Sequence, residues 1–137
     1  PGIMYDLETG ETVEVARKKG KGENAPETGL FTSRIQPGGW KTYLLAPAAL
    51  SALEAPKAEV SQNALNLNVK LIAGKGVFSA AVPLKIDIAA ANRTATIYRA
   101  TDKGQADLSI ALGDYLKDVK SVTVTEMLTG KSETVEI

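Results

Sequence analysis

Sixteen acidic side chains stand in a chain of 137 residues that has no histidine and no cysteine. Thiol nucleophiles, histidine-based triads, haem ligation and zinc centres built from Cys or His are therefore excluded. Two-carboxylate glycosidase chemistry would need an acid and a nucleophile or base at fixed separation in a cleft. Glu8, Glu11 and Glu14 are the nearest approach, yet they flank a turn at solvent-facing positions, so the expectation is solvated strand edges. Hard cations want clustered oxygens, and Asp102, Asp107, Asp114 and Asp118 supply carboxylates without the regular spacing of a calcium loop. The expectation is no metal and no cofactor. Sugar recognition sets flat aromatic faces against pyranose rings, which singles out Trp40, Tyr43 and Tyr98, with Tyr115 as a neighbour for Tyr98 in a second patch. The competing expectation for Trp40, the one we favour at this level, is packing on Phe31 or Leu44 in a small core, as large aromatics usually do. Pro1 would serve as a catalytic secondary amine only as a natural terminus inside a pocket.

Charge narrows the partners. Sixteen basic residues offset the sixteen acidic ones, six of each through Pro47 and ten of each thereafter. Non-specific nucleic-acid binding needs a basic surplus to displace counterions, and there is none. The local run Arg17, Lys18, Lys19, Lys21 is followed by Glu23 and Glu27 and has no interleaved aromatics, so it reads as a solvated loop. No stretch approaches the ~18 apolar residues of a membrane-spanning helix. Asn92-Arg93-Thr94 fits the N-glycosylation sequon, which matters only in a secretory host.

The elements that would position these groups are strands. Leu65, Leu67, Val69 and Leu71 alternate with polar residues, as do Val82, Leu84, Ile86 and Ile88. Period-two alternation suits a strand with one buried face and cannot serve a helix. Leu67, Val69, Leu84, Ile86, Val122 and Val124 are the expected core. Pro83 lacks an N–H and so marks an edge strand or a strand start. Gly10, Gly39 and Gly130 are the expected structural turn residues. Thr9-Gly10 and Thr129-Gly130 each precede a Thr-Val-Glu tail, and the repeat does not extend outward, so it reads as one turn chemistry used twice. The stretch 46–56 allows about two helical turns or a linker with a short strand, and Leu112–Val119 allows a brief helix. The fold class expected is all-β: an antiparallel β-sandwich, immunoglobulin-like, preceded by an N-terminal β-meander. Its parts would be 1–47, a linker at 48–57, and the sandwich at 58–137.

Asp6, Leu7, Thr9 and Gly10, then Phe31 and Ile35, then Pro37, Gly39, Leu44, Leu45 and Pro47 form a pattern covering about the first third of the chain. It resembles the closing strands of the C-terminal β-sandwich of many glycoside hydrolases, α-galactosidase-like and amylase-like enzymes among them. The remainder, with "VPLKIDI", "YRATDKGQ" and Val-Thr-Val-Thr entering the second Thr-Gly turn, is similar to the Ig-like or fibronectin-like domains of large extracytoplasmic bacterial proteins. The chain opens Pro1-Gly2-Ile3 with its first Met at position 4, so it reads as an excised or processed piece of something longer; the resemblance implies an extracytoplasmic or secreted one. It would be non-catalytic, because the catalytic acids of the resembled enzymes lie in a separate barrel. Its partners would be an adjacent domain of the same polypeptide and, as an alternative role, a glycan.

Overall fold

A computed structural model describes residues 2–137, so Pro1, the candidate amine, lies outside the described residues. Among those residues every regular element is a strand and every pairing is antiparallel. The first unit holds β1 (Ile3–Asp6), β2 (Thr12–Val13), β3 (Ala16–Lys19), β4 (Glu27–Leu30) and β5 (Tyr43–Ala46). Strand β1 lies between β2 and β5 in a three-stranded sheet, while β3 and β4 make a separate two-stranded ribbon.

The rest forms two larger sheets. One is built on β8 (Ala64–Ala73), flanked on one side by β12 (Gln105–Ala111) and β9 (Gly76–Val77). On its other side lie β6 (Ala52–Leu53) and β7 (Lys57–Ser61). The other runs β11 (Thr94–Ala100), β10 (Pro83–Ala90), β13 (Val119–Glu126), β14 (Ser132–Glu136). Alternation places the aliphatic faces of both sheets inward. Leu65, Leu67, Val69, Leu71, Leu84, Ile86, Ile88, Val122 and Val124 are all at most 2% exposed, so the sandwich-like core follows the period-two pattern. Pro83 is the first residue of β10, a central strand, where its missing N–H costs no ladder bond in mid-strand.

Within 48–57 the short strand that the sequence allowed is β6. Ala52 and Leu53 pair with Ile72 and Leu71, and Leu50 and Leu53 are buried in the same core cluster as the sandwich strands. Apolar side chains at 50 and 53 seat the segment, since leaving them wet would forfeit roughly 1.5–3 kcal/mol each. The brief helix at 112–119 is replaced by a single turn in which Leu116 N–H donates to Leu112 O at 3.3 Å.

The first unit joins the same core. Tyr5 is buried, its ring meets Phe78 edge-on with centroids 6.5 Å apart, and its hydroxyl accepts a hydrogen bond from Leu50 N–H at 2.6 Å. Facing it across the β1–β5 ladder is Leu44, and Ile3 faces Ala46, which fixes the inward side of that small sheet. Met4, opposite both Val13 and Leu45, lies on the outward side.

Candidate functional site

The two Thr-Gly turns are the same structure. In the first, Asp6 N–H donates to Glu11 O (2.9 Å) and Gly10 N–H to Asp6 O (2.8 Å). In the second, Glu126 N–H donates to Lys131 O (2.9 Å) and Gly130 N–H to Glu126 O (3.0 Å). Both glycines are left-handed, with φ of 73° and 82°. A carboxylate opens each turn and accepts from its amides. Asp6 takes Glu8 N–H; Glu126, fully buried, takes the N–H groups of Leu128, Thr129 and Lys131 and the Thr129 hydroxyl. The Glu8 N–H on its oxygen is the chief cause holding the Asp6 carboxyl below its usual range. Burial opposes it, and the Lys41 ammonium, 3.5 Å away, adds to the lowering.

Sequence reading found the paired turns but not that they touch. A Cβ on Gly10 would lie 2.5 Å from Leu128 O and 3.2 Å from Thr129 Cα. One turn therefore sits directly on the backbone of the other, and only a glycine leaves room. Gly130 has open space around its Cα. No local signal announces this contact, because it joins opposite ends of the chain. At the third expected turn residue, the left-handed position falls one earlier: Gly38 has φ 75°, while Gly39 closes the turn by donating its N–H to Gln36 O at 2.9 Å. Proline at 37 and glycine at 38 are the residues a type II turn demands.

The candidate glycan residues do not form one platform. Trp40, expected to pack, is instead 84% exposed. Phe31 meets Tyr43, not Trp40, edge-on with centroids 5.1 Å apart, and Leu44 turns inward beneath Tyr5, so neither offers the indole a seat. Tyr43 is half-buried and its hydroxyl is bonded to that of Ser33. Tyr98 is exposed on β11, in a different sheet from Tyr43, and pairs in register with Lys85 of β10. Tyr115 does not join it: Arg93 stacks on the Tyr115 ring at 4.2 Å from its centroid. Beside that stack, Asn92 donates to Tyr115 O and accepts from Lys117 N–H, both at 3.0 Å, so the sequon asparagine clasps the 113–118 loop.

Two concave surfaces remain. A cleft of about 840 Å³ separates the β3–β4 ribbon from the outward face of β2–β1–β5; Met4, Val13, Val15, Phe31 and Leu45 line it, with Arg17 among its charged members. A shallower groove of about 420 Å³ crosses β7, β8 and β12 over a polar ladder of Asn66, Asn68, Asp107 and Ser109, where Asn68 donates to Asp107. Asp102 closes a tight turn, exchanging both backbone bonds with Gln105. Among the described residues no three carboxylates gather as a cation site. Comparison with protein-family models, curated proteins and solved structures returns no match.

Proposed function

We propose that the chain is a non-catalytic accessory segment of a larger extracytoplasmic, carbohydrate-processing bacterial protein. In this reading it is an immunoglobulin-like sandwich carrying an N-terminal β-meander, and it spaces and stiffens a neighbouring domain. The observation that supports the reading is the seating of the first unit on the sandwich. Tyr5, Ala46, Leu50 and Leu53 share one buried cluster with the sandwich strands, and the two Thr-Gly turns abut. Such a join transmits position rather than chemistry. The buried polar side chains serve that framework too: Asp6 and Glu126 organise turns, and the Thr101 hydroxyl accepts from Val82 N–H at 2.9 Å. The test is removal of the segment from its parent enzyme. The expected result is an unchanged kcat with a lower unfolding temperature; a kcat lost in proportion to the segment's own acids would refute the reading.

The exposure of Trp40 favours a second reading, a glycan-contacting surface centred on that indole, with Tyr43 and Tyr98 as the further candidate aromatics. Because Trp40 is the only tryptophan, its fluorescence reports the site alone. Titration with soluble starch, xylan and galactomannan should quench or shift its emission if this reading holds, and an unmoved spectrum across all three rejects it.

A further inference from the structure

The molecule has several sheet edges, and all but one of substantial length are blunted. An unpaired edge is a template for another strand, and proteins guard such edges with charge or brevity. Strand β11 carries Arg99 at an inward-facing position, opposite Leu84, and β14 carries Glu133 opposite Val124. Asp107 lies on β12, Glu59 on β7, and the ribbon strands β3 and β4 are charged as well. The remaining edges, β2, β6 and β9, are two residues long. Strand β5, Tyr-Leu-Leu-Ala, has four residues and no charge.

Its free side is fit for pairing. Leu7 N–H bonds Thr42 O at 3.0 Å, so position 42 directs its backbone towards β1. Strand alternation then turns the N–H and C=O groups of Tyr43 and Leu45 outward, and among the described residues they have no strand partner. The side chains agree with the backbone. Leu45, 68% exposed, continues the row Val13–Met4–Leu45 across the outward face, so the side chain nearest the open edge is apolar.

We propose that the open edge of β5 takes an extended apolar strand from the adjoining domain of the same polypeptide, continuing the β2–β1–β5 ladder. Area decides against a free partner or a second copy. Four backbone residues and one row of three side chains fall short of the ~1,200 Å² that stable bimolecular interfaces bury. A tethered strand does not need that area, since its effective concentration is in the millimolar range. The proposal rests on the accessory reading above, and it names the surface through which that role is exercised.

Amide hydrogen exchange separates the possibilities. In the isolated chain the Tyr43 and Leu45 amides should exchange freely, and sedimentation at about 100 μM should give a monomer. In the parent polypeptide the same two amides should be protected at least tenfold. Leu45→Lys should leave the isolated chain's unfolding unchanged, because the side chain is mostly in solvent, and abolish the protection in the parent. A parent with no further domain sinks both the accessory reading and this proposal. An adjoining domain that leaves both amides exchanging freely sinks the proposal alone. A dimer of the isolated chain that Leu45→Lys dissolves overturns it in favour of self-pairing.

Discussion

Replacing Gly10 by alanine, and separately Gly130, measures how tightly the first unit is seated. Both glycines occupy the same place in the same turn and both are left-handed, so each alanine carries the same conformational penalty of about 1–2 kcal/mol. Their surroundings differ. A methyl at 130 enters open space, whereas one at 10 lies 2.5 Å from Leu128 O, well inside ordinary contact, against backbone that cannot rotate aside. Relieving it requires the two turns to part, an overpacking cost of about 1–3 kcal/mol. Gly130→Ala should therefore destabilise by about 1–2 kcal/mol and Gly10→Ala by about 2–5 kcal/mol. With an m-value of about 2 kcal/mol/M, urea midpoints should fall by about 0.5–1 M and about 1–2.5 M respectively. Far-ultraviolet circular dichroism is the better probe, because an indole as wet as Trp40 changes little on unfolding. Equal midpoints for the two variants would show that the turns do not bear on each other, and the account of a seated first unit would fail.

Two further outcomes follow from single contacts. The Asp6 carboxyl titrates lower in the folded chain than in the unfolded one, so its contribution is fully present above the unfolded value of about 4 and is lost as pH falls through the folded value. Asp6→Asn should be less stable than the parent chain at pH 7 and should lose less on acidification, as read by urea midpoints from pH 7 to 2.5. Tyr5→Phe keeps the ring against Phe78 but leaves the buried Leu50 N–H without its acceptor, at a cost of about 1–3 kcal/mol, measurable by thermal unfolding.

The sandwich strands were legible because side-chain alternation has one physical cause, a single wet face, and Leu65–Leu71 and Val82–Ile88 display it without interruption. Segment 48–57 showed only that a short strand was allowed, because Ala52–Leu53 is too short to display a period; its place is dictated by Leu71 and Ile72, residues it meets only in three dimensions. Trp40 deceived for a related reason. Large aromatics seek cores, but the local turn chemistry of Pro37 and Gly38 settles where the indole emerges, and Phe31 is already engaged with Tyr43. Of the candidate site, the turn glycines could be read from composition. The Gly10–Leu128 contact and the apolar edge of β5 could not, since each depends on which strands become neighbours.

The abutting turns also impose an order of events during synthesis. Leu128 leaves the ribosome about 118 residues after Gly10, which at ~5–20 residues per second is about 6–24 s later. For that interval the first hairpin lacks the turn it abuts, although β1 can already pair with β5 and set Tyr5 against Leu50 and Phe78. Completion of the second Thr-Gly hairpin is thus the moment at which the first gains its backstop.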